Sequence, residues 1–426
     1  MRRLASVRPA VSVRADDQLG ALIQGAVDVI SMPELQRKLH RGGGLRVKLG
    51  IDPTASDIHL GFAVVLRKLR QFQDHGHTAV LIIGDFTALV GDPSERSATR
   101  PVLAKEDVEE HAAGYLEQVQ RILDADRLEI RRNSEWLGSL GVDGVVRLTG
   151  QATVAQMLGR NDFARRYAEG SPISITEFLY PLFQGYDSVM VRADVELGGT
   201  DQLFNLLVGR DLQVADGQDP QVVLTTPLLE GLSGGPKMSK SLGNYVGIAE
   251  PAAEQFGKLM SIPDSLLPSY LEHTTGWDPA RIEEVTAALT SKELHPNDAK
   301  RLLAKAVCDL YHGEGAGAAA EAEFNRVFRE REAPSDIPEF QILPGHVDEE
   351  GQIRLSRLLT LAGLAASARE AQRKLAEGAV RVDGEVVSTD DGLGAADYDG
   401  RVVSLGRRRW ARISWAGRRN QAEKRD

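Results

Sequence analysis

Residues 46–51 read Arg46-Val47-Lys48-Leu49-Gly50-Ile51, and the chain then turns at Asp52-Pro53-Thr54. The hexapeptide alternates in the manner of a strand, and Asp-Pro-Thr is a turn signal. From Phe62 onward, apolar residues recur at Phe62, Leu66, Leu69 and Phe72, the i, i+4, i+7 spacing of one helix face. Ala79-Val80-Leu81-Ile82-Ile83 follows, a short apolar run bounded by His77 and Gly84 that suits a strand buried on both faces. Strand, helix, strand over about forty residues is a βαβ unit. It predicts an α/β chain built on a Rossmann-like, doubly wound parallel sheet.

Working outward, residues 20–40 read as a helix, and a helical stretch covers 105–170. Gln221 to Leu224 is a further strand-like run, and 248–330 is helical with few strand signals. Pro334, Pro338 and Pro344 punctuate a linker. Residues 352–415 change character into two short helices followed by short strands, with turns such as Asp383-Gly384. The expected division is 1–247, the sheet domain with a helical insertion; 248–345, a helical domain and linker; and 346–426, a small α+β domain with a basic tail.

At 426 residues the chain is too long for one ordinary domain, and 42% hydrophobic with 26% charged residues is a globular composition. No run approaches the ~18 apolar residues of a membrane span, so no membrane partner is expected. The single cysteine, Cys308, excludes an intramolecular disulfide and a Cys-rich zinc site, and it fits a reducing, cytoplasmic setting. The net charge of −10 hides a gradient. From Arg401 to Asp426 there are nine basic residues against two acidic ones. A basic tail on an acidic body suits a protein that meets a polyanion at one end, although such tails also occur as plain solvated segments. Arg2, Arg3, Arg8 and Arg14 precede the first acid, Asp16; without an apolar core this reads as an irregular extension in preference to a transit peptide.

Two segments carry chemistry. Asp57-Ile58-His59-Leu60-Gly61-Phe62 lies after the first strand of the βαβ unit, where helix N-termini offer free N–H groups and positive potential to a triphosphate. Gly61 lets backbone approach a nucleotide, and His59 can donate to a phosphate oxygen as charge builds there. Alone, a His-x-Gly triplet is a weak signal. Lys237-Met238-Ser239-Lys240-Ser241 follows Ser233-Gly234-Gly235-Pro236, a Gly-rich lead-in suited to a mobile loop. Two lysines separated by small residues can close on pyrophosphate and neutralise it during in-line displacement.

In that order and spacing, the two segments resemble the two signatures of class I aminoacyl-tRNA synthetases. Gly50-Ile51-Asp52-Pro53-Thr54, Gly91-Asp92-Pro93-Ser94, Tyr180-Pro181-Leu182-Phe183-Gln184-Gly185-Tyr186-Asp187, Gly198-Gly199-Thr200-Asp201-Gln202 and His295-Pro296-Asn297-Asp298-Ala299-Lys300 extend the likeness to the tyrosyl-tRNA synthetase family, over 45–415. The resemblance implies activation of L-tyrosine by ATP with Mg2+, transfer to tRNA(Tyr), a homodimer, and no protein-bound metal. It implies that Tyr180, Gln184 and Asp92 hold the α-ammonium group, that Thr87 and Gln202 line the pocket, and that Asp187 accepts from the phenol hydroxyl. Asp52 and Asp201 would meet the substrate or the adenylate ribose, with Gly50, Gly61, Gly199 and Met238 beside the nucleotide. Thr54 and His59 would face the γ-phosphate, and Arg96, Arg100, Lys237, Lys240 and Ser241 the pyrophosphate. The chemistry agrees, since an ammonium wants a carboxylate and a leaving pyrophosphate wants cations. Tyr180, Gln184 and Asp187, at i, i+4 and i+7, can share one helix face.

Two positions depart from the family pattern. The first signature usually ends in a second histidine and here ends in Phe62, so a ribose contact is either missing or supplied elsewhere. Some members hold the phenol with a tyrosine where this chain has Lys48, leaving Lys48 either to act on the same hydroxyl or to pair with a carboxylate. A site that bonds a hydroxyl rejects the analogue lacking one, so no inserted editing domain is expected. At the C-terminal end, Arg354 to Leu359, Ser367 to Leu375 and Gly378 to Gly384 are similar to a small RNA-binding module shared with a ribosomal protein. Arg357, Arg369, Arg373 and Lys374 would lay cations along an RNA backbone. The competing readings are a tryptophanyl-type enzyme and an RNA-binding scaffold that keeps the fold without catalysis.

Overall fold

The protein is described from a computed structural model that covers residues 15–54, 57–93, 104–327, 337–406 and 409–416. The chain divides into two compact units, 1–317 and 318–426. Among the described residues of the first, six strands form one sheet: β1 (Asp28–Ile30), β2 (Arg46–Ile51), β3 (Thr78–Ile83), β4 (Leu128–Arg132), β5 (Val195–Gly199) and β6 (Val222–Thr226). Their order is β1-β6-β5-β2-β3-β4, with β1 antiparallel and the others parallel. The direction of winding reverses between β2 and β5, so a crevice opens beyond their carboxyl ends, where doubly wound sheets bind ligands.

The predicted βαβ unit is β2, the helix Leu60–Asp74 and β3. Leu60, Leu66, Leu69 and Phe72 of that helix are buried, while Phe62 at its first turn stays partly open. The residues of β3 from Ala79 to Ile83 are all buried, as expected for a central parallel strand covered on both faces. Two helical expectations are corrected. Residues 20–40 form two helices, Ala15–Ile23 and Met32–Arg41, separated by β1. The stretch 105–170 is helical except for β4, which lies at the sheet edge. A three-residue strand is too short to show a period, and the mixed Leu-Glu-Ile-Arg-Arg of β4 lacks the apolar run of an inner strand. β5, with Glu196 at its second position, also escapes pattern reading.

Helices Ala252–Met260, Leu267–Thr274, Pro279–Thr290 and Pro296–His312 make 248–317 helical, as expected, within the first unit. No helix among the described residues is long and apolar enough to cross a membrane.

The second unit holds β7 (Glu339–Ile342), β8 (Gln352–Arg354), β9 (Val380–Val382), β10 (Glu385–Val387), β11 (Gly392–Gly394), β12 (Val402–Leu405) and β13 (Arg409–Trp415). A five-stranded sheet runs β10-β9-β12-β13-β7, and β11 pairs with β8. The two expected helices are Leu355–Leu361 and Ala368–Ala376, packed over Leu358, Leu359, Leu375, Val380, Val403 and Ile413. β7 runs parallel to β13, so residues 339–342 belong to this sheet although they precede residue 346.

Candidate active site

Beyond the carboxyl ends of β2 and β5 lies a cavity of about 450 Å³. Both signature segments reach it, as do Tyr180, Gln184 and Asp187 from the helix Ile175–Val191. Ser174 caps that helix in a capping box with Glu177, and Arg192 ends it in the left-handed conformation at φ 51°. The i, i+4, i+7 face read from the sequence is therefore the face that meets the cavity.

At the deep end, Asp187 is 3% exposed. Its Oδ1 accepts from the Trp136 indole N–H at 2.8 Å and its Oδ2 from the Asn133 amide at 3.3 Å. Burial pushes the Asp187 carboxyl up to about 7, against the opposing pull of the Lys48 ammonium. Asn133 also donates to Thr87 Oγ1 at 3.0 Å, and Thr87 donates to Asp52 Oδ1 at 2.7 Å. Tyr180 donates its hydroxyl proton to Asp52 Oδ2 at 2.8 Å. Asp52 is likewise raised to about 7, chiefly by burial, with the charges of Asp92 and Asp187 adding to it. A Cβ on Gly84 would lie 2.0 Å from Asp52 Oδ1 and 2.4 Å from Thr87 Oγ1, so this relay requires glycine there.

A second network stands opposite. Gln202 donates to Asp92 Oδ2 at 2.8 Å, and Asn205 donates to both Gln202 Oε1 and Gln184 Oε1 at 3.0 Å. Arg160, 5% exposed, reaches Asn205 Oδ1 at 3.1 Å and Asp92 Oδ1 at 3.5 Å. Sequence reasoning missed Asn205, Arg160, Asn133 and Trp136. Only Asn205, one helical turn beyond Gln202, carried any signal.

Lys48 does not line the cavity. Its Nζ pairs with Glu196 Oε1 at 2.8 Å, both side chains 0% exposed, and donates to Gln184 O at 2.7 Å and Ser188 Oγ at 2.8 Å. The sequence-based placement among substrate-contacting residues is corrected: of its two readings, pairing with a carboxylate is the one observed. Lys48 and Glu196 are directly paired in the β2–β5 register.

At the outer end, His59 caps the helix Leu60–Asp74, its Nδ1 accepting from Phe62 N at 3.1 Å. Nδ1 is thus the acceptor, and the proton sits on Nε2. Burial, with Lys240 and Lys237 nearby, lowers His59 to about 4, so it is a neutral donor at physiological pH. Gly61 N meets Met238 Sδ at 3.4 Å, joining the signature helix to the lysine loop. Lys237 Nζ lies 2.6 Å from Asp201 Oδ2, and Lys240 Nζ donates to Tyr115 Oη at 2.8 Å while lying over its ring. Gly50, Thr54, Gly199 and Phe62 also line the space. Ser241 is exposed and outside the lining, with its hydroxyl 2.9 Å from that of Ser239. Arg96 and Arg100 lie outside the described residues, as do Ser94, the arginines before residue 15 and the basic residues of the tail except Arg401, Arg409 and Arg412.

In the second unit Arg357, Arg369 and Arg373 are exposed, and Lys374 is half-buried and 2.6 Å from Glu377. Asp390 accepts from Ser356 N and Oγ and from Gln372, tying the two basic helices to one loop. Among the described residues no cluster of three or more His, Cys, Asp or Glu is arranged to hold a metal ion.

The profile of the class I tRNA synthetases (W and Y) matches residues 40–329. The tyrosine--tRNA ligase of Thermotoga maritima is 48% identical over 400 residues, covering 94% of this chain and 98% of the relative. That of Geobacter sulfurreducens is 48% identical over 404 residues, covering 94% and 99%. Among solved structures, the tyrosyl-tRNA synthetase of Archaeoglobus fulgidus complexed with L-tyrosine superposes with a TM-score of 0.58 at 23% identity, covering 72% of this chain and 99% of that one. A C-terminally truncated mitochondrial enzyme of Aspergillus nidulans gives 0.60 at 21%, covering 74% and 94%. At such identities the structures speak for the fold.

Proposed function

Because the chain belongs to the family of class I tRNA synthetases for tryptophan and tyrosine, we propose a residue-by-residue account of how its cavity works. The activity is tyrosine–tRNA ligation: L-tyrosine and ATP give tyrosyl-adenylate and pyrophosphate, and the tyrosyl group then passes to the terminal ribose of tRNA. The observation that carries the account is Asp187, a buried acceptor with Trp136 and Asn133 already on its oxygens, at the deep end of the cavity. A phenol hydroxyl completes that set as a third donor.

The α-ammonium group sits among the Tyr180 hydroxyl, Gln184 and Asp92, with Thr87 and Gln202 as walls. Asp52 orients Tyr180 by taking its proton in a hydrogen bond, which leaves the phenolic lone pairs free to accept. The tyrosine carboxylate oxygen attacks the α-phosphorus of ATP, and the bond to pyrophosphate breaks. Neutral His59 donates from Nε2 to the phosphates beside Thr54, and the helix N-terminus at Gly61 adds its N–H groups. Lys237 and Lys240 neutralise the leaving pyrophosphate after exchanging Asp201 and Tyr115 for it; Arg96 and Arg100 add charge there. Asp201, freed in this way, takes a ribose hydroxyl. In the second step a terminal ribose hydroxyl of tRNA attacks the adenylate carbonyl and AMP leaves. Positioning and electrostatics carry both steps, with no covalent enzyme intermediate.

The carboxylates of Asp52, Asp92, Asp187 and Asp201 are each engaged by protein donors, and Mg2+ enters as part of the ATP substrate. The helical segment 248–345 and the module 346–426 are assigned to tRNA, with Arg357, Arg369, Arg373 and Lys374 on its backbone. A homodimer is assigned on the exposed apolar side chains Val142, Val146, Val154 and Tyr167 of the insertion and Ile175 at the start of the following helix. The setting is cytoplasmic. The test is ATP–pyrophosphate exchange run against all amino acids. Tyrosine is expected to support it best, and faster exchange with tryptophan would overturn the tyrosine account of the cavity.

A further inference from the structure

Lys48 was singled out by the sequence yet takes no part in the cavity lining. A fully buried cation needs a dedicated partner set, and here that set is specific. Glu196 Oε1 supplies the countercharge from β5, while Gln184 O and Ser188 Oγ accept from one turn of the helix Ile175–Val191. Glu196 is itself completed by Ser188 Oγ at 3.0 Å and by the Gln221 amide. The pair sits on the two strands that flank the switch point, and its helical acceptors, on Gln184 and Ser188, bracket Asp187 along the chain. Three elements of the site, β2, β5 and the tyrosine-binding helix, are thus joined at one ammonium.

We propose that Lys48, held by Glu196, is a positioning residue that sets the discrimination between tyrosine and phenylalanine by fixing the helix that presents Tyr180, Gln184 and Asp187. This deepens the tyrosine reading above and rests on it. In place of a side chain that touches the phenol, the chain has an ion pair beneath the residue that does. The same ammonium opposes the burial that raises the Asp187 carboxyl. Asp187 is faced by Lys48 from β2, Glu196 from β5, Asp52 beyond β2 and Tyr180 on its own helix, with neutral Asn133 and Trp136 completing its surroundings. Removing Lys48 therefore both loosens the helix and favours the protonated acid, which no longer accepts a phenol proton well.

The test is the double variant K48M/E196Q in the full-length enzyme, which removes both charges together so that no buried ion is left unpaired. The expected result is a rise of roughly 10-fold or more in KM for tyrosine, an equal fall in tyrosine over phenylalanine preference, and a nearly unchanged KM for ATP. Lys48 lowers the Asp187 carboxyl more than Glu196 raises it, so removing both still lifts that carboxyl. The tyrosine KM should therefore worsen further as pH falls from 8 to 6, more steeply than in the wild type. A folded double variant with wild-type tyrosine KM and preference overturns the proposal, as does an equal rise in both KM values, which marks general loosening. Should the double variant fail to fold, Ser188→Ala removes one acceptor of Lys48 and is read in the same way, with a smaller rise expected and no selective rise overturning the proposal. Asp187→Ala is run alongside. If it leaves discrimination intact the tyrosine reading of the cavity falls; if it destroys discrimination while the Lys48 variants do not, only the present proposal falls.

Discussion

The Tyr180 hydroxyl donates to Asp52 Oδ2 at 2.8 Å, and the carboxyl that receives it is raised to about 7. Asp187 is raised to a similar value. A carboxyl whose folded pKa exceeds its unfolded value near 4 binds its proton more tightly in the native state. Its contribution to stability is therefore full below about pH 4 and is lost as pH rises through about 7. Thermal melts of the ligand-free protein should show the wild type losing ground to Asp52→Asn between pH 5 and 8; parallel curves would count against the raised carboxyl.

Gly84→Ala should damage the site without unfolding the sheet. The added methyl would have to displace Asp52 and Thr87, because the nearest atoms stand at 2.0 and 2.4 Å. Overpacking of this kind costs about 1–3 kcal/mol of stability, whereas a shift of about 1 Å in a reacting group can cost ~10²-fold in rate. The expected outcome is a retained circular dichroism spectrum with kcat/KM for tyrosine down by ~10² or more. Wild-type exchange would show that the relay tolerates displacement.

Lys48 explains both what the sequence made legible and what it withheld. The alternation of 46–51 identified β2 correctly, because every second residue is apolar. Alternation by itself suggests one solvated face, and a lysine on that face looks like surface. In a sheet covered on both sides that face is interior, and Lys48 is tolerated only because the β5 register sets Glu196 beside it. Such long-range pairing leaves no local pattern. The same limit hid Asn133, Trp136 and Arg160, whose roles arise from partners at least 45 residues away. By contrast the Tyr180, Gln184, Asp187 face needs only one helix, and the sequence was enough for it.

Lys237→Ala should act on the chemical step. Its ammonium is paired with Asp201 at 2.6 Å, and the proposed mechanism requires it to transfer to pyrophosphate. Removing one preorganised donor aimed at developing charge costs ~10²–10³ in kcat. Tyrosine KM should stay near wild type, since the proposed mechanism puts Lys237 on the pyrophosphate and not on tyrosine. A large effect confined to tyrosine KM would place the loop in the wrong half of the cavity.

The assembly prediction rests on Val146, 63% exposed on the helix Gly141–Thr149, with Val142 79% exposed on the same helix. Val146→Asp adds a charge to a surface that is solvated in the monomer and desolvated in a dimer. Sedimentation should show the wild type as a dimer and the variant shifted to monomer, with a melting curve changed little at high dilution. A monomeric wild type would remove the assignment.

Charge changes in the second unit should separate the two half-reactions. Arg357, Arg369 and Arg373 are exposed, and Asp390 anchors their helices through Ser356 and Gln372. Cations along an RNA backbone bind by releasing counterions, so affinity falls with salt in proportion to the phosphates neutralised. Replacing all three by alanine should leave tyrosine-dependent exchange unchanged, because no described residue of this unit lines the cavity. It should weaken tRNA binding and lower the slope of log affinity against log salt by roughly 0.7 to 0.9 for every phosphate that is no longer neutralised. If all three replacements leave the slope unaltered, these arginines form a solvated face and tRNA is held elsewhere. Loss of exchange and charging together would instead give the module a structural role.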